Sequence, residues 1–177
     1  MEKKILLVVD IQNDFVAGSL GTAEAQAIIP AVKEKIKMHR EAGSLIIFTR
    51  DTHGEDYLET PEGKKLPVPH CIYGTYGWEL VDGLYDGDCI LDKKTFGMAD
   101  IYSKISERMN GGEIESIEII GLCTDICVIT NALIIKTSAP DVPVIVDPAA
   151  CAGVTPETHE AALKVMEMCQ IDVKREE

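Results

Sequence analysis

Three stretches of the chain carry almost no polar side chains: Lys4–Asp10 (Lys-Ile-Leu-Leu-Val-Val-Asp), Ser44–Thr49 (Ser-Leu-Ile-Ile-Phe-Thr) and Ile117–Ile120 (Ile-Glu-Ile-Ile). None alternates regularly, so none suits a strand with one face in water. Strands buried on both faces need helices on both sides of their sheet. The spacing predicts helices over Pro30–Glu41, Asp100–Met109, Ile126–Lys136 and Pro156–Met168. Pro30 and Pro156 stand at first helical positions, and Gly43 follows the first helix. Thr155 is the expected cap of the last helix. Its capping box reads as incomplete, because Thr158 stands where Glu or Gln is wanted. Further strands are predicted over Cys89–Asp92 and Val142–Val146, with Ile171–Val173 as an edge strand. Strands alternating with helices predict the α/β class: one domain over residues 1–177, a three-layer α/β/α sandwich around a six-stranded, mainly parallel sheet.

Composition excludes some functions. Hydrophobic residues make up 46% of the chain, too many for a disordered one. The net charge is −13, and no strong basic cluster interrupts it, so neither nucleic acid nor an anionic membrane is expected as a partner. No apolar run reaches the ~18 residues of a membrane helix. Leu6–Val9 is too short for a secretion signal, so a cytoplasmic location is expected. The six cysteines (Cys71, Cys89, Cys123, Cys127, Cys151 and Cys169) form no Cys-x-x-Cys pair and read as free thiols.

One cysteine has a special setting. Gly121-Leu122-Cys123-Thr124-Asp125-Ile126-Cys127-Val128 joins a buried strand to a helix with few charges. Thr124 and Asp125 are candidate N-caps. Cys127 then falls in the first helical turn, where free N–H groups and the positive dipole end favour thiolate and can hold an oxyanion. The plainer reading is a small buried hydrophobe.

Asp10, Asp51, Lys93, Cys127 and Asp147 all fall at or just past the carboxyl ends of predicted strands, which converge on one edge of a doubly wound sheet. A lysine cation would favour thiolate, and an aspartate would accept the thiol proton and return it to a leaving amine. Taken singly, Asp10 reads equally as a capping or salt-bridging carboxylate. Lys93 reads equally as a solvated strand end, and Lys94 competes for its role. Asp51-Thr52-His53 and His70 form a second set that suits zinc, iron or manganese, or else simply polar loop residues. The segment 54–78 shows no sustained period, and so long a loop in a compact domain is usually functional. His39 and His159 lie on predicted helices and read as structural or solvated.

Asp10-Ile-Gln-Asn-Asp-Phe15, Lys93-x-x-Phe96 and Gly121-x-x-Thr-Asp-x-Cys127-Val together resemble the isochorismatase-like cysteine hydrolases. The likeness implies an Asp–Lys–Cys triad, with Asp10 as base, Lys93 as cation and Cys127 as nucleophile. It implies a cis peptide at Leu122–Cys123 and an oxyanion held by the backbone N–H groups of Cys123 and Cys127. Asp51-x-His53 with Pro69-His70-Cys71-x-x-Gly74-Thr75-x-Gly77 resembles the nicotinamidase branch. That branch implies a divalent metal, most often zinc or iron, on Asp51, His53 and His70, to which the pyridine nitrogen of nicotinamide binds. It also implies that Phe15 lines the ring and that the protein is a homo-oligomer. Pro67 departs from the branch, which usually has an aromatic residue there. Isochorismatases themselves cleave a vinyl ether and need no nucleophilic cysteine, so Cys127 points to a small amide. The expected reaction is nicotinamide to nicotinate and ammonia through a thioester. Another small amide or carbamoyl compound is the alternative. A non-enzymatic reading would use His70, Cys71, Cys123 and Cys127 as a thiolate metal site.

Overall fold

The computed structural model describes residues 3–175. Its six strands are β1 (Lys3–Val9), β2 (Leu45–Asp51), β3 (Cys89–Lys93), β4 (Ile114–Leu122), β5 (Val144–Ala152) and β6 (Asp172–Val173). All pair in parallel, in the order β3-β2-β1-β4-β5-β6. Ile5 to Val9 of β1 are completely buried, as a central strand covered on both faces requires. The helices are α1 (Asn13–Val16), α2 (Ala23–Ala27), α3 (Ile29–Glu41), α4 (Pro61–Lys65), α5 (Ile101–Arg108), α6 (Ile129–Ser138) and α7 (Pro156–Met168). Helix α3 packs on β2 and β5, whereas α6 packs on both α5 and α7. Right-handed crossovers put these two groups on opposite faces of the sheet. This is the expected α/β/α sandwich. Among the described residues, no helix is long and apolar enough to cross a membrane.

The strand order reverses between β1 and β4, so a crevice opens at their carboxyl ends. Gly121 pairs with Val9 and has a φ of 125°, and a Cβ at Gly121 would fall 2.1 Å from the Val9 carbonyl oxygen. Only glycine fits that place.

Several local expectations change. Strand β2 runs on through Asp51, so Arg50 and Asp51 are strand residues. Strand β5 does not stop at Val146. Its pairing with β4 breaks at Asp147-Pro148 and resumes at Cys151. A proline there has no N–H for the ladder, and the chain bulges instead of ending. Asp147 therefore does not join the carboxyl edge. It pairs with Lys35 of α3 at 2.6 Å. The capping box of α7 is complete: Thr158 N donates to Thr155 Oγ1, and Thr155 N donates to Thr158 Oγ1 at 3.1 Å. A threonine hydroxyl here does the work usually given to a carboxylate. The segment 54–78 holds α4 and two single turns of 3-10 helix, Tyr57–Glu59 and Tyr76–Trp78.

Candidate active site

Strand register brings the site together. Asp51 of β2 pairs with Lys93 of β3, so both side chains leave the same end of the sheet. Asp10 follows β1 directly in a left-handed backbone conformation (φ 48°), and its carboxylate turns into the interior. Lys93 Nζ lies 2.6 Å from Asp10 Oδ2, 3.2 Å from Asp51 Oδ1 and 3.5 Å from Cys127 Sγ. Asp10 Oδ1 accepts from Thr49 Oγ1 at 2.7 Å. Asp10 Oδ2 has the Lys93 ammonium beside it and makes no further hydrogen bond among the described residues. The choice between the two lysines is settled: Lys93 is buried and Lys94 is exposed.

Charge sets the protonation states. Burial pushes the Asp10 carboxyl above its usual range, while Lys93 pulls it down. Burial, then the Asp10 carboxylate, also pushes the Cys127 thiol well up. These two effects oppose the thiolate that the helix start and the Lys93 ammonium favour. Burial acts to neutralise Lys93, but the Asp10 and Asp51 carboxylates outweigh it and keep the ammonium charged.

The turn that carries Cys127 also differs from expectation. Residues Thr124–Val128 form a π-turn ahead of α6, and the Leu122–Cys123 peptide is cis, as the resemblance implies. Neither Thr124 nor Asp125 caps the helix. Thr124 Oγ1 lies 2.8 Å from His159 Nδ1, and the Asp125 carboxylate accepts from Val154 N at 3.1 Å. Asn131, fully buried, donates to the carbonyl oxygens of Cys127 (2.8 Å) and Phe96 (3.3 Å) and accepts from Met98 N. Gln12, also fully buried, donates to the Asp51 and Trp78 carbonyl oxygens and accepts from Asp51 N. These two amides fix the backbone on either side of the site.

Next to Lys93 lies a metal-capable group. Asp51, His53, Glu62 and His70 each offer a ligand atom, all within 4.8 Å of one another. His53 Nε2 is 2.9 Å from Asp51 Oδ2. His70 Nδ1 donates to the Val68 carbonyl oxygen at 2.8 Å, which leaves Nε2 with the free lone pair. Two imidazoles and two carboxylates, mostly buried, match the donor set of zinc, iron or manganese. Burial works to raise the Asp51 carboxyl, but the hydrogen bond from His53 and the charge of Lys93 outweigh it and hold it well below the carboxylate range. Glu62 was not expected from the sequence. The signal was present: Thr60-Pro61-Glu62 matches Thr155-Pro156-Glu157, a capped helix start, and Thr60 Oγ1 does cap α4. Tyr57 is 1% exposed and sets its ring against both imidazoles, 4.7 Å from His53 and 4.9 Å from His70 between ring centroids. The thiolate metal site does not form. His70 groups with carboxylates, and all six cysteines are free thiols.

Both sets open on one cavity of about 280 Å³. Phe15, Leu66, Phe96 and Ile126 make its apolar walls, and Cys123, Cys127, Asp51 and His70 reach its interior. The Phe15 ring lies 5.5 Å from the His70 ring. Every site residue predicted from the sequence, apart from Asp147, lies at this one place.

A crevice at the switch point of an open parallel sheet, with a thiol, an ammonium and carboxylates at its base, is where an open α/β sheet binds its ligand and holds its reactive groups. The chain belongs to the isochorismatase family, whose domain model matches residues 4–175. It is 26% identical over 188 residues to a nicotinamidase/pyrazinamidase of Mycobacterium tuberculosis, covering 96% of this chain and 97% of that one. Its fold resembles the crystal structure of a Pyrococcus horikoshii pyrazinamidase in complex with zinc, with a TM-score of 0.82, 30% identity, and coverage of 98% of this chain and 99% of that one. It also resembles an N-carbamoylsarcosine amidase from Thermoplasma acidophilum, with a TM-score of 0.74, 27% identity, and coverage of 98% and 96%.

Proposed function

We propose that the protein is a metal-containing cysteine amidohydrolase that converts nicotinamide to nicotinate and ammonia. The observation that carries this reading is the contact of one buried ammonium, Lys93, with both Asp10 and Cys127 at the base of the cavity. Asp10 takes the proton from Cys127 Sγ as the sulfur attacks the amide carbonyl carbon. The backbone N–H groups of Cys123 and Cys127 receive the negative oxygen. Asp10 then passes its proton to the amide nitrogen, the C–N bond breaks, and ammonia leaves a thioester on Cys127. Water attacks that thioester while Asp10 takes one of its protons; the C–S bond then breaks, Asp10 returns the proton to the sulfur, and the acid released ionises to nicotinate. Lys93 stays charged throughout and balances whichever group is negative. Phe15 packs on the ring. Asp51, His53, Glu62 and His70 would hold a divalent metal, zinc being the first choice. When bound, the metal supplies a Lewis acid for the pyridine nitrogen and so orients the ring.

Ammonia release from nicotinamide by the wild type and by Cys127→Ala tests both parts. A silent wild type rejects the substrate. A fully active Cys127→Ala rejects the mechanism. The likeness to a carbamoylsarcosine amidase supports a second reading, hydrolysis of a small carbamoyl compound. That reading predicts activity that survives chelation, whereas nicotinamide turnover would be lost and return with added zinc.

A further inference from the structure

The turn that carries Cys127 is held from behind as well as from the cavity. Thr124 opens that turn and is completely buried. Among the described residues, the one hydrogen bond of its hydroxyl is to His159 Nδ1, at 2.8 Å. His159 lies in the first turns of α7, whose start is fixed by the Thr155–Thr158 box. The backbone and Cβ of His159 press on Gly153, where an added Cβ would lie 2.9 Å from them. Gly153 in turn lines the substrate cavity. Burial holds the imidazole below its usual pKa, so the ring is neutral at neutral pH. A neutral ring has one N–H and one bare nitrogen, and a hydroxyl can pair with either.

We propose that His159 is a positioning residue for hydrolysis: through Thr124 it fixes the backbone of the Cys123–Cys127 turn, and with it the direction of the sulfur and of the oxyanion donors. This rests on the reading of Cys127 as the nucleophile. Removing the ring leaves the Thr124 hydroxyl buried and unpaired, and the turn relieves that cost by shifting. A shift well under the length of a bond is enough to misdirect an attacking atom. The tie from Asp125 to Val154 does not replace it, because Asp125 is only half-buried and Val154 is exposed.

The test compares His159→Leu, His159→Asn, Thr124→Val and the double variant His159→Leu/Thr124→Val, each with a melting curve. Asparagine carries a polar group near the place of Nδ1 and keeps the bond. On the amide that the wild type hydrolyses, His159→Leu and Thr124→Val should each lose roughly 10-fold in kcat with KM nearly unchanged. His159→Asn should recover most of that loss, and the double variant should be no worse than the poorer single. Alkylation of Cys127 by iodoacetamide reads the same turn without a substrate. Its rate should change several-fold in the Leu and Val variants and little in the Asn variant. If the wild type leaves nicotinamide untouched, the substrate assignment fails while the alkylation series still decides the role of His159. Wild-type kcat and alkylation rate in His159→Leu would overturn the proposal, as would equal losses in Leu and Asn, or losses that multiply in the double variant. Should His159→Leu fail to fold, Thr124→Val and His159→Asn carry the same comparison.

Discussion

Lys93 Nζ lies 2.6 Å from Asp10 Oδ2, and both side chains are buried. The pair joins the ends of strands that are not neighbours, because β2 lies between β1 and β3. The lysine therefore reaches past the strand that carries Asp51 to meet Asp10, and one cation serves two carboxylates and a thiol. Replacing it with a neutral group leaves Asp10 buried with only the Thr49 hydroxyl and removes the cation beside Asp51. Lys93→Gln should destabilise the fold by about 3–5 kcal/mol, measured as a lower urea midpoint. It should also lower kcat/KM by at least ~10³-fold. Lys94→Gln, on the exposed side of the same strand end, should leave both within about two-fold.

Gly121 offers a sharper test of the β1–β4 crevice. Its Cβ would meet the Val9 carbonyl oxygen, and its φ of 125° is closed to other residues. Gly121→Ala must push β1 and β4 apart at the point where Asp10 and Cys123 emerge. A loss of roughly 3 kcal/mol or more is expected, with a lower melting temperature and lower activity together. Gly43 also has a positive φ, 72°, but nothing lies within 4 Å of its Cβ position. Gly43→Ala should cost only about 1 kcal/mol and leave activity alone.

These contrasts show which parts of the fold were legible in the sequence. Unbroken apolar runs marked the buried strands, and the polar residues just beyond them marked the carboxyl edge. That was enough to bring Asp10, Asp51, Lys93 and Cys127 to one place. Asp147 misled because Asp-Pro reads as a strand end, whereas the chain bulges and re-pairs at Cys151. Gln12 and Asn131 were not legible as buried anchors. Their partner carbonyls include Asp51 and Phe96, 39 and 35 residues away, and no local pattern announces such a bond. Thr124 and Asp125 looked like caps because short polar residues ahead of a helix usually are. Here the π-turn sends their side chains to α7 and to Val154 instead.

Tyr57 should control metal retention without touching the metal. Its ring packs edge-to-face on both His53 and His70, and its hydroxyl donates to the Leu66 carbonyl oxygen at 2.9 Å. Tyr57→Phe keeps the ring and loses one hydrogen bond, so zinc affinity should fall only slightly. Tyr57→Leu frees both imidazoles to rotate, and affinity should fall on the order of 10-fold to 100-fold, as for other supports of metal ligands. Competition with a chromogenic chelator reads this directly. Equal zinc affinity in Tyr57→Leu and the wild type would show that the backbone alone orients the two histidines.

Part of the acid sensitivity of the fold should trace to Glu118, far from the chemistry. This residue of β4 is 6% exposed, yet three side chains bind it: Lys35 at 2.9 Å, His39 at 3.1 Å and Lys174 at 2.9 Å. His39, read from the sequence as structural or solvated, is thus part of this cluster. Burial acts to raise the Glu118 carboxyl, but its partners, His39 first, outweigh it and hold the carboxyl well below its usual range. A carboxyl whose pKa is lower folded than unfolded stabilises the protein above the unfolded value, about 4.3, and loses that stabilisation as pH falls toward the folded value. Lys174 is largely in water, so part of the effect is screened. Between about pH 5 and pH 2 the wild type should lose on the order of 1–3 kcal/mol through this group. Glu118→Gln should be less stable than the wild type at pH 7, yet lose less on acidification, so the two urea-midpoint curves converge toward pH 2. Parallel curves would place the acid sensitivity elsewhere in the molecule.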